Sequence, residues 1–227
     1  MRVTRVGRGT DTRFTGSRPV PSPVAVLSDP TVGYRGGLPM RRVTYSMNVS
    51  LDGYIADPNG GIDWSDPDEE VFAHFTDELR RTGVHLLGRP LYETMLYWET
   101  AEQDETLGAA ELEWAALWKA LPKVVFSRTL STVRGTNTRL ASGTLAEEIA
   151  RWRAEPGDGD IAVGGATLAA EAAASDLIDE YRTMVHPVLL GGGTPYFPRA
   201  ERRVRLELAG SRTFGSNVVH LRHRVTR

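Results

Sequence analysis

The sequence predicts an α/β fold built on a mainly parallel β-sheet, and three observations support this fold class. Short apolar runs typical of buried strands alternate along the chain with amphipathic segments of helical period. Strands that are separated by helices favour parallel pairing, because each crossover returns the chain to the same end of the sheet. Near the C-terminus, two alternating segments are joined at Gly215-Ser216-Asn217, which predicts an antiparallel hairpin.

Composition and charge exclude several classes of protein. The 227 residues are 41% hydrophobic and 25% charged, which suits one soluble globular domain. A formal net charge of −2 favours neither a nucleic-acid partner nor an anionic membrane. The chain has no cysteine, which excludes disulfides and thiolate sites and is compatible with a cytoplasmic location. Its five histidines form no HExxH-type pair, so we expect no metal site.

Residues 1–39 differ from the rest of the chain. They contain six arginines, two aspartates, no lysine, and frequent Pro, Gly and Ser without a persistent apolar period. We therefore expect a disordered basic N-terminal extension, followed by one folded domain at 40–227. An over-extended start site before Met40 and a functional basic arm are the two alternative interpretations of the extension.

The structured part begins with an alternating strand at 41–48. A helix follows, with Asp66 as its expected N-cap and Gly83 as its expected stop. The remaining elements are predicted in this order: strand 84–88, helix 107–121, strand 123–127, helix 144–155, strand 160–165, helix 166–175, strand 177–190, and hairpin strands 203–214 and 217–225. The helix at 144–155 opens with a capping box from Thr144 to Glu147.

Ligands of such sheets bind outside the carboxyl ends of the strands. We therefore expect the chemistry just after four residues: Asn48, Gly88, Ser127 and Gly164. Arg89 directly follows one of these strand ends and Arg128 follows another, and guanidinium groups bind phosphates well. The loop after the first strand carries the apolar residues Leu51, Ile55 and Trp64, which favours a lid over an ordinary surface loop.

The segment "VGGATL" places a glycine pair between a predicted strand and a predicted helix. Its spacing is not GxGxxG, so it is not the usual dinucleotide fingerprint. Gly164 and Gly165 would let backbone N–H groups face a pyrophosphate at the start of the helix, with Thr167 adding a hydroxyl. Tight packing between strand and helix is the alternative interpretation, and this segment alone does not decide between the two.

Five segments taken together resemble the dihydrofolate reductase-like superfamily, in the branch of the riboflavin biosynthesis reductase C-terminal domain. They are "SLDGYIA" (50–56), "LLGRPLYE" (86–93), "VVFSR" (124–128), "VGGATL" (163–168) and "HPVLLGGGTPYFP" (186–198). The resemblance implies a three-layer fold, with a mixed, mainly parallel sheet and flanking helices. It also implies an NADPH-dependent reductase of a small heterocyclic substrate, either pterin-like or ribitylaminopyrimidine-like. Relatives often pair, so a homodimer is expected.

The resemblance also implies roles for individual residues. The implied cofactor-binding residues are Met47, Asn48, Ile55, Gly88, Arg89, Ser127, Arg128, Gly164, Gly165, Ala166, Thr167 and Leu168. Among them, Ser127 and Arg128 would hold the 2′-phosphate that distinguishes NADPH from NADH. The implied substrate residues are Trp64, Phe72 and Val163, with "GIDW" closing over the nicotinamide.

Glu69 is the predicted catalytic acid. In dihydrofolate reductases the acid that binds the pterin lies in the first helix, several residues after a Trp, and the count from Trp64 reaches Glu69. Asp68 and Glu70 flank this position, so the register has alternatives. All three acids also suit the N-terminus of a helix for purely electrostatic reasons. Asp52 is the second candidate, either structural or facing the substrate.

The chain departs from the family pattern in two places. Leu91 stands where the family commonly has Thr, and Val163 precedes the glycine pair where riboflavin-pathway reductases have an acid. These departures leave open a non-catalytic NADPH-binding or regulatory protein of the same fold. A Rossmann dehydrogenase is disfavoured, because the GxGxxG motif and its later acidic residue are both missing.

Overall fold

The computed structural model describes residues 34–35, 38–39, 41–197 and 203–227. All of them belong to one unit of the chain, Gly33–Arg227. Most of the extension at 1–39 lies outside the described residues, so its disorder stays a prediction. Among the described residues, none of the helices has the length and apolar character needed to cross a membrane.

Eight of the twelve strands in the described part of the chain form one sheet. In chain order the strands are β1 (Tyr34–Arg35), β2 (Leu38–Pro39), β3 (Val43–Ser50), β4 (Tyr54–Ala56), β5 (Thr82–Gly88), β6 (Lys123–Phe126), β7 (Thr138–Leu140), β8 (Asp160–Gly164), β9 (Glu180–His186), β10 (Thr194–Pro195), β11 (Leu206–Thr213) and β12 (Val219–Val225). The sheet order is β11-β12-β9-β3-β8-β5-β6-β7, while β1 pairs with β2 and β4 with β10. Every neighbouring pair from β9 to β7 is parallel, and β12 is antiparallel to β9 and β11. The predicted sheet and its C-terminal hairpin are confirmed.

Helices cover both faces of this sheet. They are α1 (Glu69–Arg80), α2 (Arg89–Met95), α3 (Ala109–Ala120), α4 (Leu145–Ala154) and α5 (Ala166–Ala174), with 3-10 turns at Asp63–Ser65, Leu96–Glu99 and Ala101–Gln103. Because side chains alternate along a strand, Leu86 packs in a core with α4 and α5, whereas Leu87 packs with α2 and α3. The result is the three-layer architecture expected from the sequence.

The first helix begins later and ends earlier than its sequence signals predict. Asp68, not Asp66, is the N-cap, because its carboxylate accepts a hydrogen bond from the Val71 amide at 2.8 Å. At the other end, Gly83 does not stop the helix but lies inside β5. Glycine is required there for another reason, since a Cβ would overlap the guanidinium of Arg41. The capping box predicted for α4 is confirmed.

The strands of the structure differ from the predicted strands in two places. The expected strand at 177–190 is only β9, which ends at His186. Beyond it the chain turns back, so that Val188 accepts a hydrogen bond from the amide of Leu51 and β10 pairs with β4. The edge strand β7 has no signal in the sequence, because its three half-buried residues show no apolar alternation.

A network of buried charges joins the central strands to α1. Arg182 of β9 donates to Glu180 and to Asp160, with both N–O distances at 2.6 Å. Its third nitrogen lies 3.6 Å from a carboxylate oxygen of Glu78 in α1. Arg222 of β12 reaches both oxygens of Glu180, at 3.0 and 3.1 Å. The network therefore ties strands β8, β9 and β12 to one helix.

Two buried carboxylates hold their charge in the folded protein. Burial alone would raise the pKa of Glu180, but the hydrogen bond from Arg222 and the charge of Arg182 lower it to about 2. On α4, the hydrogen bond from Arg139 outweighs burial and lowers the pKa of Glu148 to about 2. Both side chains are fully enclosed, at 0% exposure. Their charged forms are therefore favoured by folding.

These values predict acid sensitivity. Above the ordinary pKa of 4.5 both carboxylates are charged and their full stabilisation is present. As the pH falls from there towards 2, the unfolded chain binds protons first, so the free energy of unfolding should decrease. Urea titrations at successive pH values measure this decrease.

Glu180→Gln tests the larger network directly. It should remove part of the pH dependence and cost about 3–5 kcal/mol at neutral pH, because the buried Arg182 and the half-buried Arg222 lose a charged partner. Glu207→Gln, exposed on β11, is the matched control and should change little. Equal stability of the Glu180 variant and the native protein would show that the network contributes no net stability.

Candidate active site

A cavity of about 710 Å³ lies against the sheet face that α1, α2 and α3 cover. Strands β3, β8 and β5 form its floor. The alternation of β3 makes this floor polar: Val43 and Tyr45 pack into the core with α4 and α5, whereas Thr44, Ser46 and Asn48 line the cavity. A polar face on a central strand is uncommon in a purely structural core, so this face is a candidate ligand site.

An aromatic wall encloses the far side of the cavity. Trp98 lies 4.4 Å from Trp114, and Trp114 is stacked on Trp118 at 5.4 Å, measured between ring centroids. Phe72 of α1 extends the wall, 6.3 Å from Trp98. Such a surface suits a flat, π-rich ligand. The predicted substrate residues Phe72 and Val163 both line this cavity.

The charges at the cavity are predominantly acidic. Asp63, Asp66 and Glu78 line it, and Arg182 is the only Arg or Lys among the described lining residues. That guanidinium is already held by the carboxylates of the buried network. The cavity therefore offers acceptors for hydrogen-bond donors and for cationic groups, and it has no uncommitted cation for a phosphate.

His85 adds a neutral polar group to the cavity floor. Burial and the charge of Lys123 lower its pKa to about 4, so the imidazole is uncharged at neutral pH. Its ring lies edge-on to Trp118, with centroids 5.6 Å apart. The buried Nδ1 atom has no hydrogen-bond partner among the described residues. Buried polar atoms are normally paired, so this nitrogen is an unusual feature of the cavity floor.

Three glycines meet at the carboxyl ends of two floor strands, β5 and β8. A Cβ on Gly88 would lie 3.6 Å from the carbonyl oxygen of Gly164. A Cβ on Gly164 itself would lie 2.5 Å from Leu91 Cδ2 and 2.7 Å from His85 Nε2. Gly165 has φ +93°, where L side chains are strained. Packing therefore favours glycine at position 164, and backbone conformation favours glycine at position 165.

The same junction leaves the start of α5 open. The first amide groups of a helix have no acceptor within it, and no side chain caps this one. These are the amides of Ala166, Thr167 and Leu168. The Thr167 side chain is exposed at the edge, whereas the Leu168 side chain is buried in the core and only its backbone is free to act. An anion is therefore compatible with this end of α5.

The predicted phosphate-binding residues adjoin this edge. Arg89 pairs with Glu93 at 2.7 Å and donates to the Thr129 hydroxyl at 2.7 Å, which links the ends of β5 and β6. The Ser127 hydroxyl accepts from the amides of Thr129 and the next residue, at 3.2 and 3.1 Å. Arg128 is exposed and has no hydrogen bond or ion pair with any described residue. Among these predicted phosphate-binding residues, Arg128 is therefore the one whose charge has no partner in the described part of the chain.

Other predicted residues lie elsewhere. The Met47 side chain packs against the core beneath α4 and α5, and Ile55 is buried in that core as part of β4. Their assignment as nicotinamide contacts has no support from these positions and stays a prediction. Asn48 does line the cavity, and its oxygen lies 3.0 Å from His186 Nε2. Trp64 is half-buried and edge-on to His186, with ring centroids 5.5 Å apart.

The acids at the start of α1 have separate environments. Asp68 is the N-cap, and Glu70 bonds to Arg212 at 2.5 Å and to the Gly215 amide at 3.0 Å. Glu69 is exposed and is not part of the cavity lining. Asp66, three residues earlier, does line the cavity. The catalytic role of Glu69 stays a prediction that its position does not favour.

Asp52 has a structural environment. Its carboxylate accepts from Ser50 Oγ at 2.6 Å, from the Leu190 amide at 3.1 Å and from the Gly191 amide at 2.7 Å. The hydrogen bond from Ser50 and those backbone amides lower its pKa. Asp52 thus fastens the 188–191 loop to the turn after β3, which agrees with the structural alternative for this residue.

Several cavity residues were not predicted from the sequence. Thr44 and Ser46 belong to the alternation of "VTYSMN", which carried the signal for a polar face in a buried strand. Arg182 stands inside the strand predicted at 177–190, and a charge within a central strand is itself a signal. Glu78 has no comparable signal, because an acid near the end of an amphipathic helix is ordinary.

The fold and this edge of glycines define a dihydrofolate reductase-like α/β protein. Residues 41–220 match the model of the RibD C-terminal domain, so the chain belongs to that family. A protein from Shewanella sp. PV-4 assigned to riboflavin biosynthesis is similar over 82% of this chain and 99% of its own, with 26% identity and a TM-score of 0.66.

Two further comparisons extend this likeness. The uncharacterized protein YyaP of Bacillus subtilis is 32% identical over 184 residues, which are 81% of this chain and 95% of that protein. Dihydrofolate reductase from Enterococcus faecalis, in complex with NADP(H), shares the fold with a TM-score of 0.53 and 13% identity. That match covers 82% of this chain and 97% of the reductase.

Gly165→Ala tests the backbone requirement at the junction. A side chain at φ +93° should lower the free energy of unfolding by about 1–3 kcal/mol. Gly210→Ala is the control, because a Cβ there meets nothing within 4 Å; its effect should stay within about 0.5 kcal/mol. Chemical denaturation measures both, and equal effects would contradict the assigned strain.

Proposed function

We propose that the protein is an NADPH-dependent reductase of a small, flat nitrogen heterocycle. One observation carries this proposal: two of the floor strands of the cavity, β5 and β8, end directly at the junction of Gly88, Gly164 and Gly165. A ligand in the cavity and a dinucleotide at the junction would therefore meet at the end of the floor. Membership of the RibD C-terminal domain family supports the same proposed function.

The residues at the edge fit the dinucleotide. The open start of α5 and the glycine junction would hold the pyrophosphate, since no side chain caps that helix end. Arg128 and Ser127 would hold the 2′-phosphate. Leu91 packs over the junction where the family commonly has a hydroxyl, so the phosphates would have one contact fewer. When bound, the nicotinamide supplies the hydride.

The chain itself supplies orientation, exclusion of water and a proton. The aromatic wall would hold the heterocycle flat against the polar floor, where the lining residues His85 and Asn48 would fix its orientation. Ile62 and Asp63 line the cavity from the loop before α1 and would help to exclude water. Asp66 is the candidate to hold the proton on its carboxyl group and pass it to the substrate.

The charges at the cavity narrow the substrate class. Three carboxylates and a neutral imidazole favour ring N–H and amino groups, as in a pterin-like or aminopyrimidine-like substrate. They disfavour a phosphate on the substrate, because Arg182 is committed to carboxylates. We therefore expect turnover of unphosphorylated heterocycles in preference to phosphorylated ones.

Two further expectations, one about assembly and one about cellular location, go with this proposal. The homodimer expected from relatives would cover apolar surface such as Leu206 and Leu208, which are exposed on the edge strand β11. A cytoplasmic location suits a reductase that draws on NADPH. Neither expectation enters the argument for the site.

Arg128→Ala tests the 2′-phosphate site. Loss of one charged hydrogen-bond donor should cost about 1.5–3 kcal/mol of binding free energy, which corresponds to a roughly ten- to hundred-fold larger dissociation constant for NADPH. NADH, which lacks that phosphate, should be affected little. Tryptophan fluorescence titrations with both dinucleotides measure the difference.

Arg205→Ala is the matched control, because Arg205 is also exposed but precedes β11 at the opposite edge of the sheet. It should leave both affinities unchanged. Equal losses for NADPH and NADH in the Arg128 variant would refute the 2′-phosphate role. NADPH binding without turnover of any heterocycle would favour the non-catalytic alternative.

Asp66→Asn and Glu69→Gln together identify the acid. If Asp66 delivers the proton, its variant should lose turnover by roughly 10²–10⁴-fold with NADPH affinity kept. Glu69→Gln should then behave like the native enzyme, because Glu69 lies outside the cavity lining. Steady-state rates with dihydrofolate and with an aminopyrimidine test both variants, and the reverse outcome would restore Glu69 as the catalytic residue.

A further inference from the structure

Two histidines and a carboxylate converge beside the cavity, although they lie far apart in the sequence. His74 and Glu78 are one turn apart on α1, and His220 comes from β12. Glu78 Oε1 lies 3.8 Å from His74 Nε2 and 3.7 Å from His220 Nε2. One possible ligand atom from each of the three residues lies within 4.8 Å of the others.

Both histidine nitrogens are buried without a hydrogen-bond partner among the described residues. His220 is only 5% exposed. A neutral imidazole has one nitrogen lone pair free for a ligand. Buried polar atoms normally have partners, so two such atoms facing one carboxylate require an explanation.

The distances suit a single small ion. Atoms that bind one Zn²⁺ ion at about 2.0–2.2 Å in tetrahedral geometry are about 3.3–3.6 Å apart. The two separations from Glu78 Oε1, 3.7 and 3.8 Å, need only a small contraction, and the ligand atoms of all three residues lie within 4.8 Å of one another. Residues i and i+4 of a helix share one face, so α1 presents two ligands together. Two imidazoles with a carboxylate form a donor set that Zn²⁺ uses in proteins.

The surrounding charges leave this oxygen available. Arg182 lies 3.6 Å from Glu78 Oε1, but its shorter contacts, at 2.6 Å, are with Glu180 and Asp160. The other oxygen, Oε2, accepts from Ser46 at 2.9 Å. An ion at Oε1 would therefore leave the hydrogen bond of Glu78 to β3 intact, and Arg182 would keep its two stronger partners.

We propose that His74, Glu78 and His220 form a binding site for a divalent transition-metal ion, with Zn²⁺ the favoured ion and water the remaining ligand. The ion would join α1 to β12. Since Glu78 also lines the cavity, it would hold one wall of the cavity in place. The prediction from the sequence that the chain has no metal site rested on the spacing of histidines along the chain, which does not reveal contacts between a helix and a distant strand. This site is independent of the proposed reductase activity.

The full chain is first stripped with a chelator and titrated with Zn²⁺ by calorimetry. We expect one ion per chain. At a free concentration of about 100 times the dissociation constant, the melting temperature should rise by roughly 5–10 °C. Co²⁺ in place of Zn²⁺ should show the intense visible absorption of a tetrahedral ion. No binding, or an octahedral Co²⁺ spectrum, would overturn the proposal without requiring any variant.

Variants then locate the ion. His220→Gln and His74→Gln should each weaken Zn²⁺ binding by at least ~100-fold. His223→Gln is the matched control, because it is on the same strand but three residues away, and so on the other face. It should bind Zn²⁺ as the native chain does. Circular dichroism confirms folding, and undiminished Zn²⁺ binding by both folded variants would place the ion elsewhere and refute the site.

Discussion

The buried guanidinium of Arg182 is the constraint on which the rest of the structure depends. It sits on a central strand and draws Asp160 from β8, Glu180 from its own strand and Glu78 from α1 around it. A charge in the interior is tolerated only when such partners surround it. The same arrangement fixes α1 above the sheet, and the space that remains between them is the cavity. Stability and the candidate site thus share one set of contacts.

The site combines two local properties of the sheet. Period-two alternation in β3 turns its apolar side chains towards α4 and α5 and leaves Thr44, Ser46 and Asn48 for the cavity. At the carboxyl edge, close strand–helix packing excludes side chains from Gly164, and the positive φ of Gly165 starts α5. The question of whether this glycine pair serves packing or a ligand has a joint answer. Packing requires the glycines, and the open helix end that they produce is what a phosphate would bind.

Much of the fold could be predicted from local signals. Apolar period and turn residues identified most of the strands and helices, and the capping box at Thr144 marked the start of α4. Errors occurred where two local signals compete. Asp66 and Asp68 are both suitable N-caps, and only the position of the Val71 amide selects Asp68. The run after His186 has strand composition, but the contacts of Asp52 with Leu190 and Gly191 fold it back.

The sequence by itself determined the α/β class, the family and the order of the segments at the sheet edge, because these depend on patterns within short stretches. Tertiary structure alone decided which side chains face one another. It placed Glu69 in solvent and Asp66 at the cavity, and it brought His220 of the last strand to His74 and Glu78 of the first helix. Such contacts between distant segments depend on packing across the sheet, for which a single sequence carries no local signal.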